Sequence, residues 1–265
     1  MNSVLRRNNV RVSGPGHAPA IVFSHGFGCD QAMWGGVAPA FEEDHRVVLY
    51  DHTGAGGSDL AAYDPERYAS LDGYARDLVE IGEALDLSGA TFVGHSVAAM
   101  IGVLAHGLAP KLFGRLVLVG PSPRYVDDTD YRGGFSRAQI DELLDSLASN
   151  YLGWSRTMAH AIAGNPDRPQ VGDALEASFC RTDPDIAEQF ARATFLSDNR
   201  ADLGAVDVDT LILQSADDFV APLEVGEYVH RAIPGSRLVV LDTHGHCPHL
   251  SDPGLVIAAM KDFLQ

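Results

Sequence analysis

Short, nearly continuous apolar runs recur along the chain: AIVFSHG at 20–26, RVVLYDH at 46–52, ATFVGHS at 90–96, RLVLVGPS at 115–122, DTLILQSAD at 209–217 and RLVVLDT at 237–243. A strand wet on one face alternates apolar and polar positions. These runs do not, so they read as strands buried on both faces. Most are separated by segments of helical period. In LDGYARDLVEIGEALD at 71–86, Leu71, Tyr74, Leu78, Ile81 and Leu85 share one face, whereas 97–108 is apolar nearly all round, as a helix packed centrally on a sheet would be. Alternating strands and helices predict an α/β fold with a mostly parallel sheet. The first segment, VLRRNNVRVSG, lacks the helical pattern and predicts an antiparallel edge hairpin.

One region breaks the alternation. Between LVGPS and TLILQ lie about 90 residues without a convincing strand, holding helical stretches near 136–149, 150–163, 169–181 and 184–197. Ser136 followed by Gln139 is a capping-box start, and Asp183-Pro184 is a helix-entry signal. Short loops predict antiparallel helix pairs. An insertion after the C-terminal end of a strand sits where open α/β sheets bind ligands, so it reads as a lid.

The stretch Gly94-His95-Ser96-Val97-Ala98 lies where a strand becomes a helix and approximates the G-x-S-x-G nucleophile elbow, with Ala98 in place of the second glycine. Small neighbours let strand and helix approach, and the helix N-terminus aims free N–H groups at the reacting centre. A serine hydroxyl needs a base. The loops after the last two strands supply SADDFVAP and THGHCPHL. Asp218, four residues before Pro222, is the expected acid, with Asp217 a turn residue. His246, freed to bend by Gly245, is the expected base; His249 is expected to pack and His244 to be solvated. The oxyanion donors are expected to be the main-chain N–H groups of Val97 and Phe27, the latter set between Gly26 and Gly28 in SHGFGCDQAMW, with His25 bracing that loop.

Composition narrows the field. The 265 residues carry a formal charge of −17, which argues against nucleic acid or an anionic membrane as partner. No apolar run approaches a membrane span, and the first residues lack the apolar core of a signal peptide. Three scattered cysteines, Cys29, Cys180 and Cys247, point to a reducing compartment, and a cytoplasmic location is expected. His246, Cys247 and His249 find no further ligand of suitable spacing, so no metal is expected. DHTGAGGSD at 51–59 lacks the Walker spacing and a following lysine and reads as a bend.

With these residues in place the chain resembles an α/β-hydrolase of the RsbQ type, a bacterial group similar to plant strigolactone and karrikin receptors. The resemblance is carried by GFGCDQAMW, FEEDHRVVLYD, GHSVAAMIG, GPSPRY, GGFSRAQIDELL, NYLGW, FCRTDPDIAEQFARATFLSD, LILQSADDFVAP and GHCPHLSDP, so it covers nearly the whole chain. It implies an eight-stranded core in two parts, 1–122 and 201–265, with a four-helix V-shaped lid at 123–200 inserted after strand 6. It also implies a triad of Ser96, Asp218 and His246, and a pocket walled by Phe27, Tyr125, Phe135, Leu143, Trp154, Met158, Phe195 and Phe219, Trp154 and Phe195 above all. Ser24-His25 before Gly26 is closer to the plant receptors than to the bacterial regulator, which argues against the regulator's ligand. The expected function is a serine hydrolase, a carboxylic ester hydrolase, acting on a small apolar ester or lactone without a cofactor. The alternative is a ligand-sensing regulator with slow hydrolysis that binds a regulatory protein partner, such as a PAS-domain phosphatase in a bacterial stress response.

Overall fold

The computed structural model describes residues 3–265. Its sheet has seven strands: β1 (Arg11–Ser13), β2 (Ala20–Ser24), β3 (Arg46–Leu49), β4 (Ala90–His95), β5 (Phe113–Val119), β6 (Asp209–Asp217) and β7 (Arg237–His244), in the order β1-β3-β2-β4-β5-β6-β7. All neighbours are parallel except β1, which runs antiparallel to β3. Strand side chains alternate between two layers. Val22, Phe92, Leu116, Leu118 and Ile212 join one buried cluster, and Ile21, Phe23, Val93, Val117, Val119, Leu211 and Leu213 join the other. Both faces are covered, which is why the runs read as continuously apolar.

The first cluster holds apolar residues of helices α2 (Leu71–Ala84) and α3 (Val97–Leu108). Helix α10 (Pro253–Leu264) contributes Val256 and Met260 to the second. Helix α8 (Leu223–Ala232) joins β6 to β7, and the single turn α9 (Pro248–Ser251) follows β7.

The expected N-terminal hairpin is not formed: Ser3–Arg7 is a short helix, α1, and only Arg11–Ser13 joins the sheet. Val4 is buried, and Arg7 pairs with Asp77 and Glu80 of α2 at 2.9 and 2.8 Å, so the segment docks on a helix instead of extending the sheet edge. Asn9 then turns the chain at φ 46°, a region asparagine tolerates. The described residues thus form seven strands rather than eight, and the insertion follows the fifth strand rather than the sixth. The 51–59 segment is a bend: Asp51 accepts hydrogen bonds from Asn9 Nδ2, Gln31 N and Gly57 N at 2.7–2.8 Å.

The insertion comprises α4 (Arg137–Ser149), α5 (Tyr151–Ala163), α6 (Pro169–Phe179) and α7 (Pro184–Phe195). Ser136 and Gln139 form the reciprocal capping box, and Asp183 Oδ1 accepts from the N–H groups of Asp185 and Ile186. Helix α5 packs on α6, and α4 on both α5 and α7.

The chain runs from β2 to β3 on one side and then crosses to β4 on the other side of β2. Strand order therefore reverses between β2 and β4, and the crevice beyond their C-terminal ends is the usual ligand position in such sheets. The SHGFG loop leaves β2 there, and the Ser96 turn leaves β4.

Candidate active site

Ser96 sits between β4 and α3 with φ 57° and ψ −124°. A side chain at this φ and ψ is outside the wells that L residues favour, so the turn holds strain. Two contacts sustain it. Ser96 N–H donates to the Val119 carbonyl at 2.8 Å, and a Cβ on Gly94 would lie 2.7 Å from the Ala98 carbonyl oxygen. Strand and helix approach closely enough to exclude a side chain at Gly94, whereas alanine is accommodated at 98.

His246 Nε2 lies 2.7 Å from Ser96 Oγ, and His246 Nδ1 lies 2.7 Å from Asp218 Oδ2. A carboxylate can only accept, so Nδ1 carries the proton and Nε2 offers a lone pair to the serine hydroxyl. All three residues are buried. The second Asp218 oxygen accepts from Val220 N and Ala221 N at 2.9 and 3.1 Å, which holds the carboxylate in place. The His246 loop is held from two sides. His246 N–H donates to the Ile162 carbonyl in α5 at 2.9 Å, and Gly245 N–H donates to the Asp217 carbonyl at 2.8 Å. Gly245 has φ +85°, and a Cβ there would lie 1.9 Å from the Ala163 carbonyl oxygen, so the helical insertion packs directly on this glycine.

His95 lies beneath the site. Its Nε2 is 2.8 Å from the His246 carbonyl, which can only accept, so Nε2 is the protonated nitrogen. Burial, with the nearby His249 and His246, pushes His95 well below the ordinary histidine range, and it stays neutral. His249 packs between Trp34 and His95, with ring centroids at 4.6 and 4.3 Å, and burial lowers it to about 3. His244 is exposed, 3.2 Å from Asp217.

Phe27 and Val97 flank Ser96. A Cβ on Gly26 would lie 3.4 Å from Ser96 Cβ, which puts the SHGFG loop against the serine. Gly28 takes φ +69° beneath the Phe179 ring. His25 braces this loop: Nδ1 donates to the Gly26 carbonyl at 2.9 Å and Nε2 accepts from His52 N–H at 3.0 Å. Among the described residues neither Phe27 N–H nor Val97 N–H donates to a protein acceptor.

A narrow cavity lies above Ser96, with room for the centres of water-sized spheres of only about 30 Å³. Phe27, Tyr125 and Phe195 line it, together with Phe179, Leu175, Ile162, Val220 and Thr194, which sequence reasoning did not single out. The structure does not bring Phe135, Leu143, Trp154, Met158 or Phe219 to its walls. Trp154 stacks behind the wall on Phe179 at 5.8 Å. Phe219 is partly exposed and packs on Phe135 at 6.4 Å, outside the cavity. Leu143 and Met158 are partly buried and pack against the first apolar cluster. Cys29 and Cys247 also line the cavity, and burial pushes both thiols up, so they stay protonated. Tyr125 Oη is 3.4 Å from Ser96 Oγ, and burial raises the phenol to about 12, which keeps it a donor at neutral pH.

A nucleophile, an oriented base, a held carboxylate and free main-chain donors can perform acyl transfer. The family model described as alpha/beta hydrolase fold matches residues 19–253. The chain belongs to this family. A protein of Oryza sativa subsp. japonica named as a probable esterase is 40% identical over 266 residues, covering 100% of this chain and 98% of that protein. A strigolactone esterase of Arabidopsis thaliana is 38% identical, covering 100% and 97%. The solved structure of a hydrolase from Oleispira antarctica superposes with a TM-score of 0.96 at 39% identity, covering 99% of this chain and 96% of that one. This alpha/beta hydrolase is thus related to esterase-named plant proteins along its whole length. No helix among the described residues is long and apolar enough to cross a membrane.

Proposed function

We propose that this chain is a serine hydrolase that cleaves a small, largely apolar ester or lactone. The continuous Ser96–His246–Asp218 hydrogen-bond relay at the floor of an apolar cavity carries the reading. Ser96 Oγ attacks the carbonyl carbon while His246 Nε2 takes its proton, and the imidazolium is stabilised by Asp218. The Phe27 and Val97 N–H groups receive the developing oxyanion. His246 then protonates the leaving alcohol, and water attacks the acyl-serine with His246 again as base. The helices at 137–195 act as a lid that excludes water and shapes the ligand. In this reading the core comprises 1–122 and 201–265 and the lid 123–200.

A screen of short-chain nitrophenyl esters and lactones, read by mass spectrometry for an acyl adduct, tests this. The expected adduct is on Ser96 and is absent from Ser96→Ala; an adduct that survives Ser96→Ala overturns the assignment.

A second reading has its own support, since relatives at 38% identity include Karrikin insensitive 2 receptor CA of Petunia hybrida. A ligand-sensing role with slow hydrolysis and a regulatory protein partner would use the same cavity. Single-turnover kinetics with a large ligand-induced melting shift favours the sensor, and rapid saturable turnover favours the enzyme.

A further inference from the structure

We propose that Thr194 is a specificity-determining residue whose hydroxyl binds a second oxygen of the ligand, remote from the scissile ester. The inference deepens the serine-hydrolase reading and rests on it for the identity of the cavity. Thr194 lies in the last turn of α7, is 1% exposed, and lines the cavity above Ser96. Its Oγ1 is buried without a hydrogen-bond partner.

That state is unusual for a helical hydroxyl, which can donate to the carbonyl four residues back. Elsewhere in the insertion this bond is made: Ser149 to Asp145 at 2.7 Å, Ser155 to Tyr151 at 2.8 Å and Thr157 to Gly153 at 3.2 Å. Thr194 forgoes it. An unmet buried hydroxyl is destabilising, so a partner supplied by the ligand gives the group a use.

Among the described cavity-lining residues only Thr194 Oγ1 and His95 Nδ1 are buried and unpartnered side-chain polar atoms. His95 Nδ1 is covered by the SHGFG loop, since a Cβ on Gly26 would lie 2.6 Å from it. Thr194 Oγ1 is left as the unpartnered side-chain polar atom of the lining, beside the Tyr125 hydroxyl that already contacts Ser96. The ligand it fits is an ester or lactone bearing an additional ether, carbonyl or hydroxyl oxygen as acceptor.

Two ester series provide the test, nitrophenyl hexanoate and hexyl acetate, with one chain methylene replaced in turn by an ether oxygen. Comparing wild type, Thr194→Val and Thr194→Ser on each ester cancels its intrinsic reactivity. At one chain position the oxygen should raise kcat/KM for wild type and Thr194→Ser about tenfold relative to Thr194→Val. The valine variant should melt no lower than wild type. Equal ratios at every position overturn the inference. So does a valine variant that melts several degrees lower, because the hydroxyl would then have a protein partner.

Calorimetric binding of the same esters to Ser96→Ala and Ser96→Ala/Thr194→Val needs no turnover. Equal affinities there overturn the subsite even where hydrolysis stands. Undiminished cleavage by Ser96→Ala overturns the hydrolase reading and leaves the affinity comparison to judge the subsite.

Discussion

The backbone at Ser96 makes a prediction that separates strain from chemistry. At φ 57° and ψ −124° a side-chain-bearing residue costs on the order of 1–3 kcal/mol. Ser96→Ala and Ser96→Gly both remove the hydroxyl, and with it the contacts to His246 Nε2 at 2.7 Å and Tyr125 Oη at 3.4 Å. They differ in one respect: alanine keeps the Cβ that makes the conformation costly. At an unstrained site glycine would be the less stable variant by roughly 0.5–1 kcal/mol, because its unfolded chain has more freedom to lose. Here release of strain should reverse the order, leaving Ser96→Gly more stable than Ser96→Ala by about 1 kcal/mol. For a chain of 265 residues that corresponds to roughly 2 °C in Tm. Calorimetry and urea unfolding of both variants are the assays, and both variants should have lost acyl transfer. A glycine variant equal to or below the alanine variant in stability would refute the claim that the serine is held against its backbone preference.

Three further outcomes are expected. Asp218→Asn should lower kcat on a nitrophenyl ester by roughly 10⁴-fold with little change in KM, because His246 Nδ1 loses the acceptor that fixes its tautomer. Gly245→Ala places a Cβ against the Ala163 carbonyl at a positive φ, and should cost about 2 kcal/mol or more in urea unfolding while also cutting kcat through displacement of His246. His249 is neutral in the folded protein down to about pH 3 but takes a proton near 6.5 once unfolded. The unfolded chain therefore binds the extra proton, so this contribution to stability is full above about pH 6.5 and is lost as pH falls toward 3. Urea midpoints measured from about pH 7 to 4 should fall, and His249→Phe should flatten the slope by up to about 1 kcal/mol per pH unit.

Much of this architecture is legible along the chain because it depends on local pattern. Doubly buried strands produce unbroken apolar runs, and the α2 face shows its 3.6 period in Leu71, Tyr74, Leu78 and Ile81. The helices of the insertion announce themselves through Ser136, Gln139 and Asp183. The candidate relay is legible too, since a nucleophile elbow and the loops after the last two strands stand in a fixed chain order. The N-terminal segment misleads because its apolar residues are too few to set a period, and Arg7 finds its partners, Asp77 and Glu80, about 70 residues away.

What the sequence by itself determined is the alternation of elements and the residue types at the elbow and its partner loops, since those follow from periodicity and turn chemistry. Tertiary structure alone decided which side chains wall the cavity. Phe135, Leu143, Trp154, Met158 and Phe219 have the same apolar character as Phe179, Leu175 and Ile162, yet only the latter three reach it. The choice depends on how four helices cross over a sheet, and packing angles leave no local mark in composition. The same holds for Thr194: nothing in its neighbours along the chain says that a cavity-lining residue will bury its hydroxyl with no partner.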